Sequence, residues 1–146
     1  MKLSIIIPLY NQEKRIIRAL DSIQGGNGKI EIVVVDDAST DNSYNVVEKY
    51  KEQHPNKDII LLRNEENIGV GLTYNKAHEA SCGEYICILC SDDYYLKPID
   101  VLLSEIDGSD LIFYDMEINS GQLFKQRQTN LRSGIGIAGA SQLMRR

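Results

Sequence analysis

The chain has 146 residues, with 16 lysines and arginines, 21 aspartates and glutamates, and a formal net charge of −5. This length fits one domain with a sizeable buried core, and the acidic balance argues against nucleic acid as a partner, because binding to phosphates needs a basic surface. The opening apolar stretch is too short to span a membrane, and no cleavage site follows it. The sequence therefore predicts a cytoplasmic protein without a transmembrane segment.

Apolar runs and amphipathic stretches alternate along the chain from its first residues. Helical spacing and capping residues predict helices within residues 12–24, 38–54, 72–81 and 97–107. Continuous apolar runs predict strands at Leu3–Leu9, Ile30–Val35, Asp58–Arg63, Tyr85–Cys90 and Asp110–Tyr114. Strands that are apolar throughout and separated by helices are typical of an α/β fold, a mainly parallel sheet with helices on both faces.

The alternation weakens after residue 116. Residues 118–130 (INSGQLFKQRQTN) predict a hairpin or an edge strand, and the tail from residue 131 shows no complete element. Gly134, Gly136 and Gly139 have the spacing of a dinucleotide-binding fingerprint. That fingerprint needs a strand before it, and a polar stretch precedes it here, so we interpret these glycines as part of a loop.

The three cysteines, Cys82, Cys87 and Cys90, are an odd number, which argues against a disulfide framework. Cys87 and Cys90 have the C-x-x-C spacing of redox and zinc sites. They lie in a predicted strand, however, where residues three apart face opposite sides of the sheet. We therefore interpret them as core residues, and we interpret the isolated His54 and His78 as helix-surface residues.

Polar residues follow four of the predicted strands. Ligands bind at the carboxyl ends of the strands in open parallel sheets, so we expect these residues to converge on one edge. They are Asn11 after the first strand, Asp36 and Asp37 after the second, Asn64 and Asn67 after the third, and Asp92 and Asp93 after the fourth.

Each acid pair has a structural and a functional interpretation. Asp36 and Asp37 suit helix capping, and Asp92 and Asp93 suit a turn. Adjacent carboxylates nevertheless repel each other, and a divalent cation such as Mn²⁺ or Mg²⁺ relieves that repulsion. The pattern thus favours a metal site, and the first hypothesis for its function is a nucleotide-dependent transferase.

Two other functions compete with a transferase. A phosphoacceptor receiver domain also combines a parallel sheet with an acid cluster, but its acid pair follows the first strand, which ends here in PLYN. A non-catalytic nucleotide-binding module would keep the fold without the chemistry, and the residues leave this alternative open.

Four segments resemble, in order, the nucleotide-binding half of family-2 glycosyltransferases, which have the Rossmann-like GT-A fold. They are SIIIPLYNQEKRIIRALDSI, IEIVVVDDASTDNS, NEENIGVGLTYNKA and GEYICILCSDDYYLKP, and the resemblance covers residues 2–115. It implies transfer of a sugar from a UDP-linked donor, with inversion, to a hydroxyl of a glycan, a lipid-linked acceptor or a protein. It also implies a location at the inner face of the membrane.

The resemblance also implies roles for single residues. Pro8, Tyr10 and Asn11 correspond to the segment that wraps the base. Asp37 corresponds to the acid that reads the uracil ring, and Asp36 stands beside it.

Two further segments correspond to donor and metal contacts of the family. Asn67 matches a loop residue that contacts the donor. Ser91, Asp92 and Asp93 match the D-x-D metal motif, with Asp93 as a direct ligand and Asp92 at the metal or near the ribose or sugar.

The chain departs from the family pattern in two places. Tyr74 and Asn75 stand where many relatives have arginine followed by asparagine, which removes a cation. The catalytic base of the family comes well after the metal motif, and Asp115 and Glu117 come too soon, so we expect the base beyond Arg146.

We therefore expect a single, partial domain whose C-terminal part is truncated. Residues 1–115 would form the nucleotide-binding half, and residues 116–146 would begin the acceptor-side region. An exposed sheet edge would favour a homodimer.

Overall fold

The computed structural model describes residues 2–104, 111–113, 116–117, 123–124 and 142–145. The strands are β1 (Leu3–Leu9), β2 (Ile30–Asp36), β3 (Asp58–Arg63), β4 (Tyr85–Ile88), β5 (Leu111–Phe113), β6 (Met116–Glu117), β7 (Leu123–Phe124) and β8 (Gln142–Arg145). The helices are α1 (Ile16–Ser22), α2 (Ser43–Gln53), α3 (Val70–Ala80) and α4 (Ile99–Ser104).

The main sheet has the strand order β3-β2-β1-β4-β8-β5. Neighbours among the first four strands are parallel, which confirms the predicted α/β architecture, while β8 runs antiparallel to both β4 and β5. The prediction that the tail holds no complete element was wrong. A strand as short as β8 is defined by its two pairing partners, so its local sequence carries little signal.

The remaining strands form a separate pair. Met116 lies opposite Phe124 in the antiparallel β6–β7 ladder. The hairpin interpretation predicted antiparallel pairing here, but β6 lies just before the predicted segment 118–130. The glycines at 134, 136 and 139 lie outside the described residues, as does Asp115.

The side chains of β1 alternate between two hydrophobic clusters because successive residues of a strand point to opposite faces. Leu3, Ile5, Ile7 and Leu9 pack in the larger cluster, with residues of α1, α2 and α4. Ile6 packs in the smaller cluster, which includes Ala77 of α3. Helices on both faces of the sheet are therefore confirmed.

The register brings the carboxyl ends of the first three strands to one level. Leu9 lies opposite Asp36, and Asp36 lies opposite Arg63. The backbone N–H of Asp37 donates to the carbonyl of Leu9 at 2.8 Å, and that of Asn64 donates to the carbonyl of Asp36 at 2.8 Å. The polar residues after these strands therefore start side by side, as expected.

Several element boundaries differ from the predicted ones. β4 ends at Ile88 rather than at Cys90, and α1 begins only at Ile16 because a turn occupies the preceding residues. All three cysteines are free, with Cys87 buried and Cys90 half-buried. None of the helices in the described part of the chain is long and apolar enough to cross a membrane.

Candidate functional site

A cleft of about 360 Å³ opens at the carboxyl edge of the sheet. Its walls come from the ends of β1, β2 and β4 and from the first two turns of α3 with the loop before it. The lining residues are Pro8, Leu9, Tyr10, Asp37, Asn67, Gly69, Val70, Thr73, Tyr74, Cys90 and Ser91. Four of the predicted nucleotide-contacting residues, Pro8, Tyr10, Asp37 and Asn67, are thus brought together.

Asp37 provides a buried carboxylate in the wall of this cleft, with only 4% of the residue exposed. Its Oδ1 accepts hydrogen bonds from the backbone N–H of Ile68 at 2.9 Å and from Asn64 Nδ2 at 2.8 Å, and its Oδ2 accepts one from the N–H of Gly69 at 2.9 Å. Burial acts to raise the pKa of Asp37, but these hydrogen bonds outweigh it and lower the pKa. Asp37 is therefore a fixed, ionised hydrogen-bond acceptor.

The loop after β1 carries Tyr10, which is 45% exposed at the rim of the cleft. Asn11 follows it with a positive φ of 52°, and its Oδ1 accepts hydrogen bonds from the backbone N–H groups of Thr40 at 2.9 Å and Asp41 at 3.3 Å. Asn11 is not among the cleft-lining residues. It fastens the loop that bears Tyr10 to the loop after β2, and its predicted contact with the nucleotide stays a prediction.

Asp36 is not among the cleft-lining residues and is fully buried. Its Oδ2 forms an ion pair with Arg63 Nε at 3.2 Å and accepts a hydrogen bond from the N–H of Ser39 at 3.2 Å. Its Oδ1 has no hydrogen-bond partner within the described part of the chain. This placement gives Asp36 contacts inside the protein, and its predicted contact with the nucleotide stays a prediction.

Neither acid of this pair caps α2. The carboxylate of Asp41 accepts from the backbone N–H of Ser43, the first residue of the helix, at 2.9 Å. The capping interpretation of Asp36 and Asp37 is therefore not supported by the structure, because Asp41, further along the loop, accepts the hydrogen bond from the first residue of the helix.

The second acid pair lies on the loop after β4, next to buried Ser91 at the cleft wall. Asp92 and Asp93 are both exposed. Arg18 of α1 holds this loop, because its guanidinium donates to the backbone carbonyl of Asp92 at 2.7 Å and lies 4.4 Å from the ring centre of Tyr94. Asp92 and Asp93 therefore lie beside the cleft, on a loop that Arg18 holds in place.

The two carboxylates repel each other in the absence of a cation. Partial burial, and then the negative charge of Asp92, raise the pKa of Asp93, while hydrogen bonding to Cys90 and the charge of Arg18 oppose that rise. A bound cation would reverse this balance and stabilise both ionised carboxylates.

A divalent cation fits these residues only together with a ligand. Among the described residues, no group of three or more histidines, cysteines, aspartates and glutamates could hold a metal. Mg²⁺, however, is often held by one or two carboxylates with the phosphates of a substrate. Asp92 and Asp93 suit that arrangement.

Tyr74 and Cys90 are among the cleft-lining residues to which sequence reasoning assigned no role in the site. The Tyr74 hydroxyl and Cys90 thiol hydrogen-bond to each other. Burial is the main cause that raises the pKa of each. Cys90 looked like a core residue because the strand was predicted to extend to it, whereas β4 ends two residues earlier.

The chain is similar in sequence and in structure to known proteins. The profile of the family described as "Glycosyl transferase family 2" matches residues 4–135. A poly(ribitol-phosphate) beta-glucosyltransferase of Bacillus spizizenii is 39% identical over 97 residues, which is 64% of this chain and 15% of that protein.

Solved structures show the same likeness. The structure of residues 1–349 of Staphylococcus aureus TarS in complex with UDP matches with a TM-score of 0.81 and 30% identity, over 99% of this chain and 47% of that one. TarS has also been solved with UDP-GlcNAc. The mannosyltransferase PcManGT from Pyrobaculum calidifontis, in complex with GDP-Man and Mn²⁺, matches with a TM-score of 0.65 and 29% identity, over 68% of this chain and 30% of that one. The chain thus spans less than half the length of each of these proteins.

Proposed function

This chain belongs to glycosyl transferase family 2 and has its GT-A fold, and from that premise we propose that it forms the donor site of a metal-dependent enzyme that uses a UDP-sugar. The observation that carries the proposal is the cleft, which places a buried, ionised Asp37 and the exposed acid pair at the same sheet edge. Family membership argues against the receiver-domain alternative.

The base would lie against Asp37. The carboxylate of Asp37 accepts two hydrogen bonds at Oδ1 and one at Oδ2, so Oδ2 has a further lone pair to offer. The N3–H group of uracil is a donor that matches such an acceptor. The exposed ring of Tyr10 at the rim could cover the base by stacking. UDP is favoured over GDP because the likeness to the UDP-bound TarS structure covers more of the chain.

The diphosphate would lie towards the loop after β4. Asp93 and Asp92 are the residues that would hold a divalent cation there, and such a cation would neutralise the charge that develops on the departing UDP. Asn67 at the cleft wall would contact the donor.

Transfer would proceed by attack of an acceptor hydroxyl on the anomeric carbon of the sugar. The new carbon–oxygen bond would form as the bond to the diphosphate breaks, with inversion, and the hydroxyl proton would pass to a base. None of the described residues is assigned as that base. Inversion, the sugar, and an acceptor of glycan, lipid-linked or protein type are proposals, as is a cytoplasmic location at the inner face of the membrane.

Calorimetric titration of UDP into this chain tests the proposal. We expect binding with Mn²⁺ that weakens at least tenfold in EDTA and in the Asp93→Asn variant, because the cation links carboxylate and diphosphate. Glu52→Gln, which removes one exposed acid of α2, is the matched control and should bind normally. Titration with GDP and Mn²⁺ tests whether the site binds uracil more tightly than guanine.

Circular dichroism on the same samples makes the result decisive. A folded chain that binds no UDP in either condition would contradict the donor site. Equal binding of UDP with Mn²⁺ and with EDTA would contradict the metal-binding role of the acid pair but not the donor site itself.

A further inference from the structure

Lys76 reaches the wall of the cleft through one intervening side chain. Its Nζ donates to Asn64 Oδ1 at 2.7 Å, and Asn64 Nδ2 donates to Asp37 Oδ1 at 2.8 Å. Asn64 is only 5% exposed. The three side chains therefore form a continuous path from α3, through the end of β3, to the acid after β2.

The amide of Asn64 has one orientation that satisfies all of its polar atoms. The Nδ2 group also approaches Thr73 Oγ1 at 3.3 Å, and Thr73 in turn donates to the carbonyl of Gly69 at 2.9 Å. With the amide reversed, its NH₂ would face the Lys76 ammonium and its oxygen would face the Asp37 carboxylate. Both contacts would then pair like with like, so Lys76 and Asp37 together fix the amide.

Lys76 is itself held in place. Its Nζ makes a second hydrogen bond, to the backbone carbonyl of Arg63 at 3.1 Å. The hydrogen bonds that hold Asp37 come from neutral donors, which are the Asn64 amide, the N–H groups of Ile68 and Gly69, and the Thr73 side chain. The positive charge of Lys76 thus acts on Asp37 through the amide of Asn64, which it polarises.

We propose that Lys76 is a positioning residue that sets the base preference of the cleft by holding Asn64, and through it Asp37, in the orientation that reads the N3–H of uracil. This inference rests on the proposed donor site. Without Lys76, the buried Asn64 Oδ1 loses its charged donor, and a buried acceptor without a partner is costly. The amide would turn towards water, and the Asp37 carboxylate would lose one of its fixed partners.

The expected consequence is a change in selectivity, not only in affinity. Uracil has an N3–H that donates to a carboxylate, whereas N3 of cytosine is an acceptor that the same carboxylate repels. A loosened Asp37 would bind UDP less well and would repel CDP less. The ratio of the two affinities should therefore fall, and a general loss of structure would not change that ratio in a fixed direction.

The test is calorimetric titration of UDP and CDP, each with Mn²⁺, into the unaltered chain and three variants. Lys76→Met should reduce the preference for UDP over CDP by about three- to tenfold. Lys76→Gln keeps a neutral donor and should give a smaller reduction. Lys51→Met removes an exposed lysine of α2 and should keep the preference within about twofold, as expected for a surface site. Thermal unfolding of each variant shows whether it is folded.

The outcomes separate this inference from the proposed function. If the unaltered chain prefers UDP and both Lys76 variants keep that preference, the positioning role is overturned and the donor site stands. If the unaltered chain binds UDP and CDP equally, Asp37 does not read the base and the positioning role is overturned. If the folded chain binds neither nucleotide, the donor site and the positioning role are both overturned.

Discussion

At the scale of single residues, Asp36 and Asp37 show how neighbours in sequence acquire different roles. Asp36 is the last residue of β2 and is fully buried beside Arg63, while Asp37, one residue later, lines the cleft. Successive residues of an extended chain point to opposite sides, so only Asp37 of this pair reaches the cleft. A pair of acids in the sequence therefore does not mean a pair of acids in the cleft wall.

Replacing Asp37 by asparagine tests its role as an acceptor. The new NH₂ group would face either the Asn64 amide or the N–H of Gly69, so we expect a loss of about 1–3 kcal/mol in the free energy of unfolding. UDP affinity should fall at least tenfold, since a charged acceptor is lost. Urea unfolding and calorimetry measure the two effects, and unchanged UDP affinity would refute the role in base reading.

Glu31 forms a second buried acid network, at the opposite end of the sheet. Its Oε1 accepts from Ser4 Oγ at 2.5 Å and from the N–H of Cys82 at 2.7 Å, and Lys2 Nζ lies 3.3 Å from its Oε2. Burial acts to raise the pKa of Glu31, but these partners outweigh it and hold the pKa below its ordinary value of 4.5. The network ties β2 to β1 and to the segment that leads into β4.

The lowered pKa of Glu31 predicts a pH dependence of stability. A group whose pKa is lower in the folded state contributes stability above its unfolded pKa and loses it as the pH falls through the folded value. We expect the free energy of unfolding to fall between about pH 5 and pH 3, and to fall less steeply in Glu31→Gln. That variant should also lose about 1–3 kcal/mol at pH 7. Urea unfolding at several pH values is the measurement, with Glu48→Gln on α2 as the exposed control, and parallel curves would contradict the prediction.

At the scale of elements, the start of α3 is defined by a backbone conformation that favours glycine. Gly69 precedes the helix with φ +84°, and its N–H donates to Asp37 Oδ2. Gly71 lies within the helix, and a Cβ at either glycine would meet nothing within 4 Å. The two positions thus differ in backbone conformation rather than in available space.

Alanine in place of these two glycines should have opposite effects on the free energy of unfolding. Gly69→Ala is expected to lower the free energy of unfolding by about 1 kcal/mol, because a Cβ disfavours the left-handed region, and to weaken UDP binding through the displaced N–H. Gly71→Ala should raise the free energy of unfolding by up to about 1 kcal/mol, since alanine is the better helix former. Equal effects of the two variants in urea unfolding would contradict this account.

At the scale of the whole molecule, the sheet holds its loops together at one edge, so a ligand bound there should stabilise the fold. With UDP and Mn²⁺ at a concentration of about 100 times the dissociation constant, the free energy of unfolding is expected to rise by about 2.7 kcal/mol. EDTA and the Asp93→Asn variant should remove this gain. Thermal or urea unfolding measures it, and an unchanged midpoint at a concentration that saturates the calorimetric titration would contradict binding to the native state.

The oligomeric state is a further property of the whole molecule. A homodimer stays a prediction that light scattering coupled to size-exclusion chromatography can check. The division at residue 115 into a nucleotide-binding half and an acceptor-side region also stays a prediction, and the match of the family profile to residues 4–135 extends across that boundary.

The sequence by itself determined the parallel part of the sheet, because strands buried on both faces must be apolar throughout and the helices between them must be amphipathic. It also indicated which loops line the cleft, since the carboxyl ends of parallel strands meet at one edge. Asp37 and Asn67 were found in this way and Tyr10 through the family resemblance, and all three line the cleft.

Only the tertiary structure decided which polar residues face the cleft and which support it. Asp36 and Asn11 turned out to hold loops, and Lys76 came next to Asn64 because α3 packs against the sheet. The antiparallel β8, between β4 and β5, could not be recognised from four residues. In each case the deciding contacts join residues far apart in the chain, and a local pattern carries information about its own neighbours but not about the partners that folding brings to it.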